Sequence, residues 1–162
     1  MSNITIRKAN MSDAGKVAEV MLDFYNMDNL KEATHAFESE MHKHYNYILA
    51  QKGHKVVGFV TWLSHGLPKH GLVELDRICL LADCRGKGVG KLLVDYLIND
   101  ARKWYSENES MMRKLYLLTH EDNNSAHIFY EKVGFNHEAT LKSHYYDKKD
   151  ERLYSIFFIE GK

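Results

Sequence analysis

The chain has 162 residues, enough for one domain with a sizeable core or at most two small ones. Hydrophobic residues make up 44% and aromatics 12%, an ordinary globular mixture. The formal net charge is zero at neutral pH, which argues against nucleic acid as the main partner, because phosphate binding needs a clear basic excess. No apolar leader and no long apolar run occurs, so neither a signal peptide nor a membrane span is expected, no membrane partner is implied, and a cytoplasmic location fits. Cys79 and Cys84 lie in one segment and suit a reducing compartment better than a disulfide framework. The histidines form no zinc-like set with the cysteines, and His42-x-His44 is too sparse to imply a metal.

Ile4-Thr5-Ile6-Arg7 alternates and predicts a first strand. Ser12 and Asp13 mark a helix start, and Val17, Val20, Met21 and Phe24 follow at helical spacing, which predicts an amphipathic helix over 13–26. A second helix is expected over 30–43. Around these helices lie Asp23, Tyr25, Asp28, Glu32, His35 and Glu38, either a solvated face or the wall of an acceptor site. Strands are predicted over 45–51 and 56–63, with Lys52-Gly53-His54-Lys55 as their turn. Residues 64–71 hold Pro68 and two glycines and read as a loop.

Residues 72–91, LVELDRICLLADCRGKGVGK, are the centre of the chain: a buried strand over 72–81, a glycine-rich turn, then a helix from Gly90 to about Ser106. Arg85, Gly86, Lys87, Gly88, Val89, Gly90 and Lys91 place three glycines and three cations where that helix begins. A helix start leaves N–H groups unpaired and carries the positive end of the dipole, so the segment reads as an anion cradle, or else as a plain glycine turn. It is not a P-loop, since Leu92 follows Lys91, and the G-x-G-x-G run is not a dinucleotide fingerprint.

A polar connection over 107–113 leads to a short apolar strand over 115–118. Asn123 or Asn124 can cap the next helix, which contains Ala126, Phe129 and Tyr130 and stops at Gly134. Strands are expected from Phe135 onward and over 151–159, paired across a turn at 147–150. The order β-α-α-β-β-β-α-β-α-β-β predicts one mixed α/β domain over 1–162.

Two motifs carry a resemblance. Arg85-x-x-Gly88-x-Gly90 resembles the pyrophosphate-binding motif of the GNAT N-acetyltransferases. Asn124-Ser-Ala-His-Ile-Phe-Tyr-Glu-Lys-Val-Gly-Phe135 is similar to the second signature of that family, with Asn123 restoring its usual spacing. The resemblance spans residues 72–135 and implies a splayed, mostly antiparallel twisted sheet with flanking helices and a V-shaped acetyl-CoA cleft. In that fold the pantetheine pairs with the backbone of Ile78 and Leu80 like an added strand. The pyrophosphate rests on N–H groups of residues 86–91, and Asn124 either contacts the cofactor or only caps its helix. Relatives commonly dimerise through the last strands, so a homodimer is an expectation.

Acetyl transfer to an amine needs a base, because an alkylammonium has a pKa of about 10. It needs an N–H donor for the thioester oxygen, and it benefits from an acid for the departing thiolate. Glu74 and Asp76 point to one face of the central strand, together with Ile78 and Leu80. Two acids on a mostly apolar strand act as bases, bind a cationic acceptor, or are paired in salt bridges. Glu74 aligns with the general base of histone-acetylating members. By the same resemblance Tyr130 is the candidate acid, with a core tyrosine as the alternative, and the N–H of Leu80 or Leu81 is the candidate oxyanion donor. Nothing points to a cysteine nucleophile, so direct attack in a ternary complex is favoured. The leading function is acetylation of a small, polyamine-like primary amine. A protein lysine or N-terminal acetyltransferase is the second reading, and a non-catalytic acyl-CoA sensor the third. Residues 35–44 and His144-Tyr145-Tyr146 are where the family builds its acceptor pocket.

Overall fold

The computed structural model describes residues 3–25 and 27–158. Its elements are β1 (Ile4–Lys8), α1 (Ala14–Phe24), α2 (Leu30–His42), β2 (Asn46–Lys52), β3 (Lys55–His65) and β4 (Leu72–Leu80). They continue with α3 (Val89–Glu107), β5 (Lys114–His120), α4 (Asn124–Lys132), β6 (Asn136–Tyr146) and β7 (Lys149–Phe157). The order of helices and strands is the predicted one. The strands form a seven-stranded sheet in the order β1-β2-β3-β4-β5-β7-β6, antiparallel in β1–β2–β3 and β5–β7–β6, with β4 and β5 parallel. The expected ends of the first helix at Asn26 and of the last strand at Ile159 lie outside the described residues.

The chain divides into two compact units, Met1–Leu63 with Arg77–Asp100, and Ser64–Asp76 with Ala101–Lys162. In the first, α1 starts at Ala14 with Asp13 as its N-cap, and a short 3-10 turn over Met11–Asp13 leads into it. Asn10 caps that turn: its side chain accepts from Ser12 N at 2.9 Å and its own N–H donates to Asp13 Oδ2 at 2.8 Å. Val17, Ala18, Val20 and Met21 are buried, as their spacing requires. They join Ala33, Phe37, Tyr47, Leu49 and Phe59 in one core, in which Tyr47 stands edge-on to Phe37 at 4.9 Å.

A second feature of this unit fixes the end of β4. Gly58 in β3 lies so close to it that a Cβ there would stand 2.5 Å from Cys79 O. Leu81 N–H donates to Val57 O at 2.8 Å, and Arg77 N–H donates to the Thr61 side chain at 3.0 Å.

In the second unit, 64–71 is largely structured. β3 runs on to His65, Pro68–His70 is a 3-10 turn, and Gly71 is left-handed at φ 59°. A Cβ on Gly71 would stand 2.3 Å from Met111 O, so only glycine fits. β4 enters parallel to β5, with Leu72, Val73 and Glu74 opposite Lys114, Leu115 and Tyr116. β6 and β7 form the expected hairpin, with Lys148 at φ 60° in its turn. Between Leu141 and Tyr146 the register slips: the partner strand moves only from Glu151 to Lys149, so three extra residues bulge from β6. Ser143 fastens that bulge, its N–H donating to Asp150 Oδ1 and its hydroxyl accepting from Lys148 N, both at 3.0 Å. Among the described residues no helix is long and apolar enough to cross a membrane.

Candidate active site

In the first unit, β4 ends at Leu80, Ala82–Cys84 make a 3-10 turn, and Arg85 is extended. Gly86 and Gly88 then take φ of 71° and 83°, and α3 starts at Val89. These two left-handed turns are why glycine stands at both positions. A Cβ at either would meet nothing within 4 Å, so open space lies beside the backbone there. Leu92 N–H makes a helical bond to Gly88 O at 3.2 Å, and the N–H groups of Val89, Gly90 and Lys91 precede it as the start of the helix. An exposed loop of N–H groups with open space beside its glycines fits a diphosphate.

The cations differ from one another. Arg85 turns back: its Nε donates to Leu80 O at 3.0 Å and its guanidinium lies 4.9 Å from the centre of the Phe24 ring. Lys91 pairs with Asp95 at 2.7 Å. Lys87 is exposed. The Leu81 N–H, one of the two expected oxyanion donors, is bonded to Val57 O at 2.8 Å.

On the other face of β4, Arg77 is held by Glu40, by the Tyr47 hydroxyl at 3.0 Å and by the Tyr25 ring at 5.4 Å. Tyr25 OH also lies 3.0 Å from Cys79 Sγ. Burial pushes the Cys79 thiol up to about 11, against the smaller pull of Tyr25 and Arg77. It is a poor nucleophile.

In the second unit Glu74 pairs with His65. Its Oε2 lies 2.7 Å from His65 Nε2 and 3.4 Å from the Tyr116 hydroxyl. The His65 and Tyr116 rings are 5.9 Å apart. Burial, with Glu74 next, pushes Tyr116 up to about 12, and Tyr145 and Asp76 add to the effect. Tyr145 is raised by burial first and then by Glu74, Glu151 and Asp76. Tyr145 is an exposed residue of the β6 bulge. Glu151 is buried and paired with His120.

Tyr130 is buried among Phe129, Phe135 and Tyr154, with ring centres 5.4, 5.7 and 6.1 Å away. Asn123, not Asn124, is the cap of α4, accepting from Ala126 N at 3.3 Å; Asn124 is the exposed first residue of the helix. Gly134 follows the helix at φ 110°. Sequence reasoning did not single out His65, Tyr116 or Glu151. Tyr116 had a signal, since it alternates with the buried Leu115 and Leu117. Among the described residues no cluster of three or more His, Cys, Asp or Glu is placed to hold a metal.

The model of the Acetyltransferase (GNAT) family matches residues 16–135. No curated protein matches the chain at a significant level. Among solved structures, one assigned to the GNAT acetyltransferases, from Desulfovibrio desulfuricans, is 20% identical with a TM-score of 0.79, the match covering 96% of this chain and 99% of the other. An N-acetyltransferase from Staphylococcus aureus Mu50 is 24% identical with a TM-score of 0.74, over 96% of this chain and 99% of its own. A protein assigned as an acetyltransferase from Salmonella typhimurium, solved with its cofactor acetyl-CoA, is 16% identical with a TM-score of 0.73, over 97% of this chain and 95% of its own. At these identities the likeness is one of fold.

Proposed function

The chain belongs to the GNAT acetyltransferase family, and from that premise we propose that it moves an acetyl group from acetyl-CoA to the primary amine of a small, polyamine-like cation by direct attack in a ternary complex. The observation that carries the acceptor class is a carboxylate beside aromatic rings: Glu74 on the central strand, 2.7 Å from His65 Nε2 and 3.4 Å from the Tyr116 hydroxyl. Carboxylates with aromatic faces suit an ammonium, which gains from charge and from the ring quadrupole together.

Bound acetyl-CoA supplies an activated acyl group and a thiolate leaving group. The N–H groups of residues 86–91 hold its diphosphate, Lys87 adds charge, and the backbone of Ile78 and Leu80 takes the pantetheine. In this reading Asn124, the exposed first residue of α4, contacts the cofactor. Glu74 takes the proton of the ammonium, with Asp76 holding the cation near it. Leu80 N–H donates to the thioester oxygen, and Tyr130 returns a proton to the departing sulfur. The raised Cys79 thiol supports direct attack rather than transfer through a cysteine. The same reading takes 1–162 as one catalytic domain, cytoplasmic and homodimeric.

The test is acetyl-CoA-dependent release of CoA with polyamines, amino acids, aminoglycosides and lysine peptides. Preference for one small polyamine-like cation, slowed by Glu74→Gln, supports the reading. Turnover of peptides alone replaces it with protein acetylation. Binding of acetyl-CoA without any turnover replaces it with an acyl-CoA sensor.

A further inference from the structure

His65 is the last residue of β3, and its side chain is 39% exposed against 17% for Glu74. Both described hydrogen-bond neighbours of Glu74 fall on the same oxygen. His65 Nε2 stands 2.7 Å from Oε2, a full hydrogen bond, while the Tyr116 hydroxyl at 3.4 Å is at the weak limit. No described contact falls on Oε1. A carboxylate held through one oxygen presents the other, and a base gains rate only when its accepting oxygen is held in reach of the proton. The His65 ring also packs on Tyr116, which limits how it turns.

We propose that His65 is the positioning residue of this enzyme: its Nε2–H donates to Glu74 Oε2 and so presents Oε1 to the acceptor amine. This rests on Glu74 being the base. The geometry requires the donor at Nε2, with Nδ1 carrying no proton in the neutral ring. That requirement makes the substitutions specific. The amide nitrogen of glutamine reaches the place of Nε2, that of asparagine only the place of Nδ1, and phenylalanine keeps the ring packing without any donor.

The experiment is steady-state turnover of His65→Gln, His65→Asn and His65→Phe with the amine of highest kcat/KM in the panel, and Glu74→Gln alongside. His65→Phe and His65→Asn are expected to lower kcat by about tenfold to a hundredfold, with KM for acetyl-CoA within twofold of the parent. His65→Gln is expected to stay within about threefold of the parent kcat. Parent-like kcat in His65→Phe or His65→Asn overturns the inference, and so does a His65→Gln as slow as His65→Phe. A rise in acceptor KM at unchanged kcat also overturns it, by making His65 a binding group. If Glu74→Gln keeps the parent rate, or if no amine turns over, the base reading falls and takes this one with it. If Glu74→Gln is slow while His65→Phe is not, only the role of His65 is lost.

Discussion

Replacing Gly88 by alanine tests the anion cradle without touching a side chain. Gly88 has φ 83°, and a Cβ there would meet nothing within 4 Å, so the cost is backbone strain alone. Holding an L-residue in the left-handed region costs about 1–2 kcal/mol. For a chain of this length that is a fall in Tm of about 2–8 °C. Gly53 is the matched control: it has φ 61° in the β2–β3 turn, again with nothing within 4 Å. Gly53→Ala is expected to lose about the same stability. The two differ in consequence, because relaxing φ at Gly88 turns the N–H groups of the segment that opens α3. Loss of one hydrogen bond to a charged group costs about 1.5–3 kcal/mol, so acetyl-CoA binding to Gly88→Ala is expected to weaken about tenfold to a hundredfold. Calorimetric titration with acetyl-CoA and thermal melts of both variants measure the two effects. Equal acetyl-CoA affinity in Gly88→Ala and Gly53→Ala would refute the cradle, whatever the melts show.

Gly58→Ala is a steric case. Its Cβ would stand 2.5 Å from Cys79 O and 2.5 Å from Leu80 Cδ2, so β4 must shift at its end, and a loss of about 1–3 kcal/mol in urea unfolding is expected together with weaker acetyl-CoA binding. Asp13 is held below the ordinary carboxylate range, first by its hydrogen bonds from Arg7. A depressed carboxylate stabilises the fold above its unfolded pKa of about 4, and that contribution is lost as pH falls below it. Asp13→Asn should therefore cost about 2 kcal/mol at pH 7, and the gap to the parent should close between about pH 5 and pH 2; a gap independent of pH would contradict the assignment. Cys79, pushed up to about 11, should resist iodoacetamide at pH 8 in the folded protein and react in urea, and labelling at the rate of an unhindered thiol would contradict its burial.

The helices, the strands and the glycine-rich turn before α3 were legible because their signals are local. Three glycines before an apolar helical face, alternation in β1 and the cap-to-glycine span of α4 each report on a few neighbouring residues. The start of α1 fell where Ser12 and Asp13 put it, with Asp13 at its N-cap; the 3-10 turn before it, capped by Asn10, left no separate signal. Residues 64–71 read as loop because Pro68 and two glycines dominate the composition, although His65 still belongs to β3. Partners far apart in sequence left no such trace. Arg77 meets Glu40, and Glu121 meets Arg152, only because separate elements come together. Glu74 was found as an acid on an apolar strand, but its partner could not be named until β3 and β5 were placed beside it.

The three-residue bulge of β6 separates two inheritances. The ladder with β7 runs from Asn136 to Leu141, with one irregularity between His137 and Ala139, and resumes at Tyr146, while the segment after Leu141 is fastened by its own bonds through Ser143. A lineage carrying this fold can lengthen or shorten that segment without re-registering the hairpin on either side. What changes is an exposed segment that carries His144 and Tyr145. Length is therefore free to vary at one edge of the sheet, at little expense to the folding of the rest.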